Sequence, residues 1–133
     1  MERFELEELT RRQRSQIPLL TELGDLTNQL RQAMERRDEV SLQMLMNMRE
    51  DPLHRLQEID EGLRAYLLHL PQPDAVRARA LLVGEDEPEN EAEAALAAQA
   101  ASCRRMLEKV RQADRQLNLQ LCGNRSFYRL FRD

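Results

Sequence analysis

Between residues 19 and 34 the apolar side chains fall on Leu19, Leu23, Leu26, Leu30 and Ala33/Met34, a 4-3-4-3 spacing. That spacing draws one stripe along an α-helix, whereas a strand alternates its faces every second residue. A helix so striped cannot bury its stripe alone and has to meet other helices. Similar stripes recur further on. Leu42, Leu45, Leu56, Ile59, Leu63, Tyr66 and Leu70 share one helical face, and so do Ala92, Leu96, Gln99, Cys103, Met106, Val110, Ala113 and Leu117. No run alternates with period two, so no strand is expected. The pattern predicts an all-α chain, an antiparallel helical bundle of three principal helices with long coiled-coil-like hairpins. Aromatic residues make up only 4% of the chain, which leaves Leu, Met, Ala and Ile to build the core, a composition that favours helices over sheets.

At 133 residues one domain is expected. Residues 1–15 read as a weak N-terminal helix with Phe4, Leu6 and Leu9 among charges, and residues 16–70 as a helical hairpin. Its turn is expected at Arg36-Arg37-Asp38-Glu39, where arginines suit a helix C-terminus and Asp38 suits an N-cap. Pro18 is tolerated in the first turn of the first arm. The second arm keeps its phase across Pro52, which predicts one kinked helix and leaves a break at Asp51-Pro52 as the alternative. Residues 71–90 read as a linker, with two helical turns at 74–83 and an acidic loop at 84–90. Residues 91–133 read as a long C-terminal helix followed by a docking tail. Leu30, Leu56, Ile59, Leu63, Met106 and Val110 are expected to be buried together.

The sequence lacks a glycine-rich phosphate loop, a Cys-x-x-Cys pair and a His-Glu-x-x-His motif. His54 and His69 are separated by about 22 Å of helical rise, too far to share a metal. Cys103 and Cys122 are separated by about 28 Å, too far for a disulfide. No enzyme activity, cofactor or metal is expected. The opening Met-Glu-Arg-Phe-Glu-Leu-Glu-Glu has neither the basic region nor the apolar run of a secretory signal, and no segment holds eighteen consecutive apolar residues. A cytoplasmic protein is expected.

Two features stand out. Met34, Met44, Met46 and Met48 surround the proposed hairpin turn. They are read first as core filling, with an adaptable binding surface as the alternative. The second feature is the C-terminus, which holds three of the chain's five aromatics within its last seven residues. A helix continued through Gly123 would align Leu117, Leu121, Tyr128 and Phe131, with Arg125, Arg129 and Arg132 along one flank. Such a segment either folds back on the bundle or docks to a partner as a helix in a groove. Its basic character also admits a membrane-surface or nucleic-acid reading, which the acids elsewhere weaken.

The chain resembles the FlgN family of flagellar type III export chaperones, with FliT-type chaperones as near neighbours. The resemblance is carried by the opening amphipathic helix ending Ala33-Met-Glu-Arg-Arg-Asp-Glu-Val40 and the leucine-rich helix with Arg49-Glu50. It continues through the Ala/Arg/Leu-rich last helix and Leu117-Asn118, which leads into Asn124-Arg-Ser-Phe-Tyr128. It implies a cytosolic chaperone that keeps hook–filament junction proteins soluble and hands them to the export machinery. On that resemblance partner binding maps to Leu117, Leu121, Phe127, Tyr128, Leu130 and Phe131. The partners implied are flagellar hook-associated proteins and the export apparatus, with no nucleic acid and with the membrane approached only through that apparatus. The alternative is a non-secretory coiled-coil adaptor or structural bundle protein.

Overall fold

The computed structural model describes residues 1–123. Six helices follow one another: α1 (Arg3–Arg14), α2 (Ile17–Glu35), α3 (Glu39–Met48), α4 (Glu50–Leu68), α5 (Gln72–Val83) and α6 (Glu91–Gly123). No strand occurs among the described residues. None of their helices is long and apolar enough to cross a membrane.

α6 packs against α1, α2 and α5. Its pairing with the first two runs at a nearly constant offset along the chain. Leu6 and Leu9 share a cluster with Leu96, the Cys103 thiol donates to the Gln13 carbonyl (3.1 Å), and Leu26 and Leu30 share a second cluster with Leu117 and Leu121. α1 and α2 therefore lie along α6 parallel to it. α3 and α4 return in the opposite direction, bringing Leu42 and Leu45 to the second cluster and Leu63, Leu67 and Leu70 to the first. α5 then adds Ala75, Ala78 and Leu81 to the first cluster, and the loop after it carries the chain back to where α6 begins. α6 therefore runs antiparallel to α3 and α4, as the third arm of an up-down-up bundle does.

The hairpin turn uses a left-handed residue without glycine. Arg37 sits at φ 54, the Asp38 amide reaches the Ala33 carbonyl (2.9 Å) and the Arg37 amide reaches Met34 (3.1 Å). This is the Schellman arrangement that satisfies the last carbonyls of a helix. Asp38 then caps α3, accepting from the Ser41 amide (3.1 Å) and hydroxyl (2.6 Å). Those bonds, the hydroxyl's first, hold its carboxyl below the usual aspartate range. Gly84, at φ 81, ends α5 in the same way, with the Glu85 amide on the Ala80 carbonyl (2.9 Å).

Three expectations need correction. The N-terminal helix is an integral element: Leu6, Leu9, Thr10 and Gln13 are buried, and Glu2 and Glu5 form a capping box at its start. Its stripe is real but diluted by charges, so its pattern looks weak. The linker holds a full helix whose buried face is small, Ala75 and Ala78 with Leu81, which gives little apolar signal. The six-residue core also divides. Leu30, Leu63 and Val110 are buried, whereas Leu56, Ile59 and Met106 are only half-buried. Half-buried Leu19 and Ile59 line an open groove beside Arg12 and Arg55.

In place of the expected single kinked helix, the stretch is divided into α3 and α4 at Arg49, whose backbone stays helical (φ −69, ψ −22), two residues before the Asp51-Pro52 alternative. Pro52 falls in the first turn of α4, where its missing N–H has no helical partner to lose, and it is buried.

Arg77 pins the acidic loop. Its guanidinium reaches both Glu93 oxygens (2.6 and 3.3 Å), Asp86 (3.1 Å) and the Glu87 carbonyl (2.8 Å). Glu93 is buried and also accepts from the Glu89 amide (2.9 Å). The Arg77 hydrogen bond outweighs burial and holds the Glu93 carboxyl below its ordinary range. A depressed carboxylate contributes stability above its unfolded pKa, about 4.3, and loses it as pH falls through its folded value. Arg77→Met is therefore expected to make acid unfolding shallower in that window, measured as melting temperature against pH. Identical slopes in both proteins would show that the pair carries no linkage.

Cys103 is buried, and burial pushes its thiol up. Cys122 lies on the same helix, so a bond between the two is geometrically closed. Alkylation of Cys103 in the native chain is expected to be slow and to become fast in denaturant, followed peptide by peptide in mass spectrometry. Fast native labelling would contradict the burial.

Candidate functional site

The end of the molecule formed by the α2–α3 turn and the last turns of α6 holds the features that can engage another protein. Leu26, Leu30, Ala33 and Met34 from α2 meet Leu42 and Leu45 from α3 and Leu117 and Leu121 from α6. One Arg49 nitrogen binds both oxygens of Asp114 (2.7 and 2.8 Å), with the Arg49 side chain 14% exposed. This partly desolvated, charge-assisted pair ties the α3–α4 junction to α6. Together these contacts seat the last turns of α6 in the cluster built by α2 and α3.

α3 buries Leu42 and Leu45 and leaves a second stripe uncovered. Val40, Met44 and Met48, at i, i+4 and i+8, are 82%, 54% and 48% exposed. Met46 and Leu53 are exposed as well. Of the four hairpin methionines only Met34 fills the core, so the expectation of core filling fails for the other three. At 100° per residue the Val40–Met44–Met48 stripe lies well to one side of Leu42 and Leu45. The sequence signal was the helical phase of Val40, which pairs with the methionines and not with the leucines.

The structure takes two predicted binding residues into the bundle. Leu117 and Leu121 are buried in the cluster with α2 and α3, so their side chains are not offered to a partner while α6 is seated. Phe127, Tyr128, Leu130 and Phe131 lie outside the described residues.

Several titratable groups elsewhere have structural partners. His54 faces Glu58 (2.8 Å), and the His69 ring bonds the Ala65 carbonyl (2.7 Å). Arg12 stacks 5.1 Å from the Tyr66 ring centre and pairs with Glu8 (3.0 Å). The groove beside them carries Arg11, Arg12 and Arg55, but Glu8 and Asp51 pair with these arginines and Glu58 lines the same groove. No group of three or more His, Cys, Asp or Glu able to hold a metal occurs among the described residues.

Known protein families, curated proteins and solved structures contain no match to this chain.

Proposed function

We propose that this protein is a binding protein of the export-chaperone type. It engages hook–filament junction proteins in the cytoplasm, keeps them unassembled and passes them to the type III export apparatus. The observation that carries the reading is the exposed Val40–Met44–Met48 stripe beside the root of an aromatic-rich, basic C-terminal segment. Methionine suits such a surface because its unbranched, polarisable side chain adapts to different partners. In this reading α1–α2, α3–α4 and α6 act as three principal rods, a stiff frame that presents Phe127, Tyr128, Leu130 and Phe131. An aromatic segment that must order on binding spends part of its contact energy on that ordering. Affinity then stays moderate and the cargo can be released. No catalysis and no cofactor belong to this role.

The test is calorimetric titration of the full chain with purified hook–filament junction proteins, alongside capture from flagellate cytosol. Saturable, reversible binding supports the proposal. No binding to those proteins, together with a permanent stoichiometric complex with some other protein, would favour the adaptor reading and overturn this one.

A further inference from the structure

We propose that Met44, Met46 and Met48 form a reversible oxidation site that switches the outer surface of α3 from apolar to polar. Half of the chain's six methionines stand within five residues of this one helix. They are 54%, 37% and 48% exposed, whereas Met34 is 6% exposed and Met106 is half-buried. At 100° per residue Met44 and Met48 lie on one flank of the buried Leu42 and Leu45, and Met46 lies on the other. Susceptibility of a thioether follows its exposure, so burial sorts the six residues into reactive and protected ones.

The oxidant is hydrogen peroxide. The thioether sulfur attacks one peroxide oxygen with a lone pair, so an S–O bond forms and the O–O bond breaks. The hydroxyl carried to sulfur gives its proton to the leaving hydroxide, which departs as water. Sulfur is thereby oxidised by two electrons to the sulfoxide, and the peroxide is reduced. Each event turns a flexible apolar side chain into a polar one. The fold does not depend on these three side chains. α3 is seated by Leu42 and Leu45, capped by Asp38 at its start and tied at its far end through Arg49 to Asp114. Oxidation touches none of those contacts, so it alters the surface and leaves the bundle standing. Exposure also makes the change reversible, because a sulfoxide reductase has to reach the residue that it reduces. Met34, inside the cluster with Leu30 and Leu42, is shielded from both reactions. The consequence for binding rests on the proposed function. A partner seated on Val40, Met44 and Met48 would have to bury sulfoxide oxygens against apolar surface, which lowers affinity.

Brief treatment of the full chain with hydrogen peroxide, followed by peptide mass spectrometry, reads the site. Met44, Met46 and Met48 are expected to gain one oxygen each about tenfold faster than Met34, with the melting temperature nearly unchanged. Dithiothreitol added after the peroxide reverses sulfenic acid and disulfide formation at cysteine and spares the sulfoxides. The oxidised chain is expected to leave a hydrophobic-interaction column earlier than the untreated one, and methionine sulfoxide reductase to restore its retention. In a Met44→Leu/Met46→Leu/Met48→Leu variant, which keeps apolar side chains of similar volume, the same treatment is expected to leave retention where it was. Met34 oxidised as fast as Met44, a large fall in melting temperature, or an equal shift in the leucine variant would overturn the proposal. None of these readouts needs cargo. With cargo in the calorimeter, oxidation is expected to weaken binding about tenfold or more, and unchanged affinity would overturn the switch. A titration that fails with the untreated chain speaks against the export-chaperone reading instead, while the peptide map and the column still decide the oxidation site.

Discussion

Replacing Leu30 with alanine is expected to destabilise the protein by about 2–5 kcal/mol, the range for removing a fully buried leucine side chain. Leu30 has no exposed surface, and it shares a cluster with residues of α2, α3 and α6, so the cavity would open where three helices meet. Small domains hold only about 5–15 kcal/mol in total, so this single change removes a large part of the stability. The contrast is Leu56, which carries the same side chain in the same kind of heptad-like stripe but is half-buried beside an open groove. Leu56→Ala forfeits part of the transfer term and leaves no closed cavity, so its expected cost is about 1 kcal/mol. Urea unfolding of the two variants separates them through their midpoints at constant slope. Equal losses at both positions would mean that the middle of α4 is covered after all.

The pair also shows what the sequence can disclose. Periodicity identifies the face of a helix, and for α2 that face is the buried one from Leu23 onward, with Leu26, Leu30, Ala33 and Met34 inside, whereas Leu19 at its start is half-buried and Leu20 is buried in its place. Periodicity does not say whether a neighbour covers the face along its whole length. In α4 the stripe continues through Leu56 and Ile59, but α6 lies mainly against α1, α2 and α5 and leaves that stretch half open. α1 and α5 were under-read for a different reason. Their buried faces are narrow, formed by Leu6 and Leu9 or by two alanines and a leucine, and charges dominate the remaining positions. The turn at Arg37 shows a third limit. Asp38 announced the cap of α3, whereas the left-handed residue before it is an arginine, which carries no such signal.

The candidate site was legible in part for similar reasons. Leucines at 117 and 121 and aromatics at 128 and 131 align on one face of an ideal continuous helix, which suggested one shared surface. The structure describes only part of that set, and in it Leu117 and Leu121 are buried against α2 and α3, which periodicity alone could not tell from a surface offered to a partner. Leu42 and Leu45 take the buried side that their stripe assigns them, which turns Val40, Met44 and Met48 outward.

If the proposed chaperone role holds, changing Tyr128 and Phe131 together to alanine is expected to weaken binding of the proposed export cargo by more than about 2 kcal/mol, roughly thirtyfold or more in Kd. Aromatic anchors dominate helix-mediated interfaces because each buries a large area while freezing few rotors. Leu117 and Leu121 are already committed to the bundle, so the aromatics and Leu130 must supply the apolar contact of the C-terminal segment. The melting temperature is expected to stay nearly unchanged. The described residues alone build both core clusters, so the fold does not depend on these two side chains for its core. Arg125→Ala/Arg129→Ala is expected to do less at equilibrium, lowering the association rate and its salt dependence in the manner of rim charges. Calorimetry with the cargo, run beside a melting curve, distinguishes the outcomes. Unchanged affinity combined with a large fall in melting temperature would make the aromatic segment part of the folded core, and its role in docking a partner would have to be abandoned.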